Sequence, residues 1–372
     1  MPEIKVPFYG HVRQYHSIKK EIDDAILKVL ESGNYVMGPA LKQFEGDLGK
    51  YFGMKHAVGL NSGTDALWLV FMALGIKPGD EIITTANTFF ATAEAIWIAG
   101  AKAVFVDCDP KTQNIDPSNI EAAITPKTKA IVPVHLYGLC ADLKAVGEIA
   151  KKHKLAVVED NAQSIDAHGP GWKQGEFSDA ICTSFIIQKN LGTFGDGGAV
   201  VTNNEKIDAV VRRLRNHGST VRSVHSMGYN SRLDDLHAAI LSVKLKYITK
   251  WTDRRREIAD RYTKGLKGTS FQLPYEPPGY RHAYHLYVIH HPKRDDLEKY
   301  LVNAGVDAKL HYPIAIHQQE GYPWGQAADM KPNVPNGEKN AAQCLSLPMF
   351  PELTNDEVDY AIEQCVKWDK AQ

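Results

Sequence analysis

Apolar positions run along the chain in two alternating rhythms. "SIKKEIDDAILKVLES" repeats Ile18, Ile22, Ile26 and Leu30 at helical spacing and stops at Gly33, which predicts an amphipathic helix. "HAVGL", "EIITTA", "AKAVFVD", "KAIVPVHLYG" and "LAVVED" are instead short, continuously apolar runs. Such runs predict strands covered by helices on both faces. Between them, "TDALWLVFMALGI", "FFATAEAIWIAG", "SNIEAAI" and "ADLKAVGEIAKKHK" predict helices. Regular alternation of this kind predicts an α/β fold with a mostly parallel sheet and right-handed crossovers. "DAICTSFI" and "GGAVVTN" are two further strands joined by a glycine-rich turn, so a hairpin there makes the sheet mixed.

The pattern changes after about Lys246. A charged helix, "WTDRRREIADRYTKGL", leads into the Pro-rich "PYEPPGYRH". Strands "AYHLYVIHH" and "VDAKLHYP" and helices "RDDLEKYLVNAG" and "NDEVDYAIEQCVKW" then predict a smaller α+β unit. The expected division is a large domain over residues 1–248, with an N-terminal arm, and a small domain over 249–372. A chain of 372 residues fits two domains better than one core.

Composition narrows the class without naming a function. Hydrophobic residues make up 44% and charged residues 23%, with a net charge of −1, as in ordinary soluble globular proteins. No basic block points to nucleic acid, and no apolar run reaches the length of a bilayer. The first twenty residues lack the apolar core of a secretory signal. Cys108, Cys140, Cys182, Cys344 and Cys365 are odd in number and scattered, which argues against a disulfide framework or a cysteine metal site. The expected setting is the cytoplasm.

Candidate chemistry lies after the strands, because doubly wound sheets bind ligands at their carboxyl ends. "NSGTDAL" follows "HAVGL" and opens a helix, which makes either an anion site or a plain cap by Ser62 or Thr64. "ANTFFATAEAI" puts Phe89 and Phe90 where a ring could cover a flat ligand or simply fill the core. Asp160 ends "LAVVED", and a buried carboxylate there needs a cation or a strong donor; a helix N-cap is the other reading. Lys189 sits between an apolar strand and Gly192, Gly195, Gly197 and Gly198. Glycine permits close backbone approach and positive φ. Neither GxGxxG nor GxxxxGK[ST] follows a strand. An anion site, an aromatic lid, a buried acid and a lysine together match one cofactor, pyridoxal phosphate. His282, His285, His290 and His291 lack nearby Cys or acid clusters and suit structural roles better than metal binding. Arg212, Arg213 and Arg215 read as a solvated helix face, one of which could meet a diphosphate.

The ordered set "NSGTDAL", "EDNAQS", "SFIIQKNLGTFGDGGA" and "RNHGS…GYNSRLDDLHAAIL" resembles the DegT/DnrJ/EryC1/StrS family over about residues 6–368. The resemblance implies a fold-type-I, pyridoxal-phosphate-dependent aminotransferase acting on nucleotide-linked keto-sugars, with pyridoxamine phosphate as the intermediate form and L-glutamate as the donor. It implies that Lys189 is the Schiff-base lysine and Asp160 the partner of the pyridine nitrogen. Gln163 would bond the ring's phenolic oxygen, Phe89 would cover one ring face, and Ala162 would lie under the other. Ser62, Gly63, Thr64 and Ser184 would hold the phosphate. Asn230 would reach the neighbouring subunit's site, which implies a homodimer with shared active sites.

His311 and Tyr312 are candidates for sugar contact; a structural strand-end turn is the alternative. Ile186, Ile187 and Gln188 depart from the family's usual aromatic–Pro–small triplet and remove an aromatic near the sugar. "GYNSRLDD" resembles the branch that aminates carbon three of dTDP-linked 6-deoxyhexoses. Amination at carbon four of a UDP- or dTDP-sugar is the alternative. A dehydratase of this fold would replace Lys189 by histidine, and a non-catalytic regulator would lack one of Lys189, Asp160, Gln163 or Asn230.

Overall fold

In the computed structural model, which describes residues 3–221, 223–322 and 332–372, the predicted alternation of strands and helices is realised. The strands are β1 (His56–Leu60), β2 (Glu81–Thr85), β3 (Lys102–Val106), β4 (Thr128–Ile131), β5 (Ala156–Asp160), β6 (His168–Gly169) and β7 (Trp172–Lys173). They continue with β8 (Ala180–Ser184), β9 (Gly198–Thr202), β10 (Tyr287–His290) and β11 (Cys344–Leu347). Seven of them form one sheet in the order β1-β9-β8-β5-β4-β2-β3. The pairings from β8 across to β3 are parallel, and β9 runs antiparallel to both β8 and β1. The hairpin read from "DAICTSFI" and "GGAVVTN" is therefore present and makes the sheet mixed.

Continuous apolar strands are buried because helices cover both faces. Helix Gly63–Ala73 packs Leu67, Leu69, Val70 and Phe71 against Val58, Val158 and Val200 on one side. Helix Pro39–Phe52 packs Leu41, Phe44 and Leu48 against Ala57, Ile181 and Val201 on the other. β10 and β11 form a separate two-stranded antiparallel sheet. Helices Ile248–Gly265, Arg294–Asn303 and Asn355–Lys370 surround it, with Tyr262, Leu297, Leu301 and Val358 in its core. Val6 of the N-terminal arm joins that core and bridges to Val306. No helix among the described residues is long and apolar enough to cross a membrane.

Several local expectations are corrected. "SNIEAAI" forms two short 3₁₀ turns, Pro117–Asn119 and Glu121–Ala123, rather than a helix. "VDAKLHYP" makes only the isolated bridges Val306–Val6 and Lys309–Ser346; β11 takes the place beside β10. In the helix Lys19–Ser32, Ile22 and Val29 are buried while Leu27 and Leu30 are exposed.

The arginine cluster is also corrected. Arg215 is buried, and its guanidinium donates to Glu45 Oε1 and to the Gly59 carbonyl. Arg212 donates to Glu45 Oε2 at 2.8 Å and to the Ala57 carbonyl at 2.7 Å. These two residues clamp β1 to the neighbouring helices, with Arg212 still partly exposed, while Arg213 faces solvent as expected. Glu45→Ala should leave Arg215 buried without a counter-charge and lower stability by about 3 kcal/mol or more, which a lower denaturation midpoint would show.

Candidate active site

Strand register brings the candidate residues together. Gly198, the first residue of β9, lies opposite Leu60 at the end of β1 and opposite Ser184 at the end of β8. Asp160 at the end of β5 lies opposite Cys182 of β8. The helix opened by Ser62, the acid and the lysine-bearing turn therefore meet at one sheet edge. There they line a cavity of about 470 Å³.

Glycine works here through contact distance. None of Gly192, Gly195, Gly197 and Gly198 has a left-handed φ. A Cβ on Gly198 would lie 2.3 Å from the Ser62 carbonyl carbon, and one on Gly192 would lie 2.5 Å from the Ile187 carbonyl oxygen. A Cβ on Gly63 would lie 2.7 Å from Ser184 Cβ. These absences of side chain let the turn carrying Lys189 sit directly on the start of the helix Gly63–Ala73. Ser62 caps that helix, its Oγ accepting from the Asp65 amide at 3.0 Å. Gly63 and Thr64 are the first helical residues, so their N–H groups have no carbonyl one turn back. With the helix dipole added, the cavity has an anion-binding wall.

Asp160 is buried and held on both oxygens. Oδ2 accepts from Thr92 Oγ1 at 2.8 Å, and Oδ1 accepts from the Ala162 amide at 3.2 Å. Burial raises its pKa above the ordinary carboxylate range, opposed by Thr92, Ala162 and the charge of Lys189. Lys189 lies half-buried on the cavity wall, its main-chain N–H bonded to the Ile186 carbonyl at 2.8 Å. Removal from water lowers its pKa to about 8, and the Asp160 charge pulls the other way. An amine so placed is a nucleophile near neutral pH. In the cofactor-free protein the Lys189 amine should therefore titrate at about 8 when followed by NMR. A midpoint near ~10.4, that of a free lysine, would show that the cavity does not desolvate it.

Phe89, Ala162, Gln163, Ser184, His311 and Tyr312 line the same cavity. So do Ile186, Ile187 and Gln188 of the unusual triplet. Phe89 is 52% exposed and its ring lies 5.3 Å from that of Tyr312. Burial and the Lys189 charge lower His311 to about 4, so it is a neutral ring near pH 7. Asn230 stands apart: it is exposed, pairs with Asn216 and lies off this cavity. His285 meets Asn190 at 3.1 Å, His282 stacks on Tyr284 at 3.8 Å, and His290 bonds Asn340.

Other cavity residues escaped the sequence reading. Phe8, Tyr9, His11 and Gln14 bring the N-terminal arm onto the cavity, and Arg255 and Glu352 line it as well. Arg255 Nη1 donates to the Tyr284, His285 and Met349 carbonyls. Neither periodicity nor motif marks these positions. Thr92 could have been found, since Asp160 required a donor and "TFFATAEAI" offers hydroxyls next to the aromatic pair.

The donor set fits pyridoxal phosphate. A helix N-terminus with a packed glycine suits a phosphate, a buried acid suits the pyridine nitrogen, and a desolvated lysine suits an aldehyde.

Comparison with known proteins agrees. The DegT/DnrJ/EryC1/StrS aminotransferase family model matches residues 16–366. A "Pleiotropic regulatory protein" of Geobacillus stearothermophilus is 44% identical over 98% of this chain and 99% of its own length. A UDP-2-acetamido-2-deoxy-3-oxo-D-glucuronate aminotransferase of Pseudomonas aeruginosa is 42% identical, covering 94% of this chain and 96% of its own. A dTDP-3-amino-3,4,6-trideoxy-alpha-D-glucose transaminase of Streptomyces venezuelae is 40% identical, covering 98% and 96%. The crystal structure of S. venezuelae DesV in complex with a ketimine intermediate superposes with a TM-score of 0.95. It is 39% identical and covers 100% of this chain and 99% of that one. Sequence, fold and the chemistry of the cavity lead to one assignment: the chain belongs to the DegT/DnrJ/EryC1/StrS family and is a pyridoxal-phosphate-dependent aminotransferase.

Proposed function

We propose that the enzyme transfers an amino group from L-glutamate to carbon three of a nucleotide-linked keto-deoxysugar, with a dTDP-3-keto-6-deoxyhexose as the substrate. The observation that carries this reading is the convergence of Lys189, Asp160 and the Ser62–Thr64 helix start on one cavity. Two relatives named for sugars carrying an oxo or amino group at carbon three support the position. Amination of a UDP-linked sugar, or at carbon four, is the alternative outcome of the substrate test below.

The residue roles follow from chemistry. Ser62, Gly63, Thr64 and Ser184 hold the phosphate, Phe89 and Ala162 enclose the ring, and Gln163 faces its phenolic oxygen. When bound, the cofactor supplies an acceptor for the electrons of the broken C–H bond. Asp160 holds a proton on the pyridine nitrogen, because an adjacent carboxylate favours the charged form. Lys189 takes the α-proton of the amino donor as general base and returns it as general acid. In the cofactor-free cavity burial lowers its pKa to about 8, which leaves a usable fraction of free amine near neutrality.

Residues 1–248 act as the cofactor-binding domain and 249–372 as the small domain that presents His311 and Tyr312. The working unit is a homodimer in the cytoplasm, in which Asn230 completes the partner's site. Exposed Leu27, Leu30, Tyr35, Val36 and Phe194 support an apolar interface. So does the open apolar groove formed by Val12, Tyr15, Ile187 and Phe194.

Purified protein should be yellow, and excess L-glutamate should bleach it. Mass spectrometry of products from a panel of dTDP- and UDP-keto-sugars identifies the substrate. The name of the Geobacillus relative favours one second reading, a regulator that binds cofactor without turnover. Protein that is yellow yet does not bleach and aminates nothing in the panel would favour it.

A further inference from the structure

Resting on the cofactor placement just given, we propose that Tyr312 is a hydrogen-bond donor to the cofactor's phenolic ring oxygen rather than a sugar contact. The side-chain amide of Gln163 has a fixed orientation. Its Oε1 accepts from the main-chain N–H of Tyr137 at 2.6 Å, and a main-chain amide only donates. Gln163 Nε2 therefore faces Tyr312 and donates to its Oη at 2.9 Å. A phenol has one proton and two acceptor lone pairs. With one lone pair taken by Gln163, the Tyr312 proton is left to point elsewhere. No acceptor for it lies among the described residues, and the side chain lines the cavity.

The surroundings place that hydroxyl at the ring end of the cavity. Gln163 lies three residues past Asp160, and Phe89 packs its ring against Tyr312 at 5.3 Å. Two hydrogen bonds hold the segment. The His311 carbonyl accepts from Tyr137 Oη at 2.6 Å, and His311 Nδ1 meets Ser346 Oγ at 2.9 Å. Asn340 Nδ2 in turn donates to Tyr137 Oη at 3.0 Å. Tyr137 thus orients both Gln163, through its N–H, and the 311–312 segment, through its hydroxyl. Gln163 and Tyr312 form a preset pair of donors converging on one oxygen.

Donors aimed at the ring oxygen favour its ionised form. Loss of one raises the pH midpoint of the visible absorbance change of the cofactor-loaded protein. Tyr312→Phe should move that midpoint up by about one pH unit and weaken pyridoxal phosphate binding to the cofactor-free protein several-fold. The melting temperature, measured alongside, should stay near that of the wild type because the ring is kept. Fluorotyrosine introduced at position 312 is a more acidic donor and should move the midpoint the opposite way. An unchanged midpoint in both variants, or a change confined to the KM for the sugar, would overturn the proposal. A wild-type protein that takes up no pyridoxal phosphate would instead overturn the cofactor placement on which it rests.

Discussion

Lys189→Ala is expected to leave a folded protein whose turnover falls by about 10⁴-fold or more. The loss should be large because, in the proposed roles, one amine serves both as the cofactor's covalent anchor and as the proton carrier. The fold survives because the side chain faces a cavity and makes no hydrogen bond among the described residues. Stability should respond in the opposite direction to activity. The amine's pKa is about 8 in the folded chain, against ~10.4 unfolded. Below the lower value both states carry the proton, and the folded state bears the full cost of burying it. Between the two values the folded state sheds the proton first and that cost fades. Wild-type stability relative to the alanine variant should therefore rise with pH across that window. Chemical denaturation at several pH values reads this directly; a flat difference would show that the amine is solvated.

Asp160→Asn is expected to keep the cofactor but slow proton abstraction by about 10²–10³-fold, the range for losing a placed electrostatic partner. An amide has the shape of the carboxylate but cannot hold a proton on the pyridine nitrogen. Its single oxygen can still accept from the Ala162 N–H, and Thr92 can rotate to accept from the new NH₂ group. Packing therefore changes little, and the defect is chemical. Stopped-flow absorbance of the half-reaction with L-glutamate isolates this step. Bleaching at a near-normal rate would argue against the acid's role.

Legibility in the sequence followed the range of the interactions involved. The sheet was readable because "LAVVED" and "DAICTSF" bury both faces and leave no other way to satisfy their backbones. Lys189, Asp160 and Ser62 could be grouped before any coordinates because each follows a strand, and parallel strands end at one edge. β11 was hidden: "CLSL" is four residues long, and its partner Tyr287–His290 lies far back in the sequence. Arg215 misled because its helix carries basic residues on a face that local periodicity assigns to water, while its partner Glu45 is 170 positions away. The arm residues Phe8 to Gln14 carry no motif and reach the cavity only through tertiary packing. Tyr312 was placed near the substrate, but its hydroxyl depends on Gln163, a link 149 positions long.

The proposed chemistry depends on a single covalent attachment point, the Lys189 amine. Incubating the protein with pyridoxal phosphate, reducing it with borohydride, and sequencing the digest by mass spectrometry would locate the cofactor. The expected result is a stable adduct on the peptide containing Lys189 and on no other lysine. An adduct elsewhere, or none on a protein that is yellow and active, would contradict it.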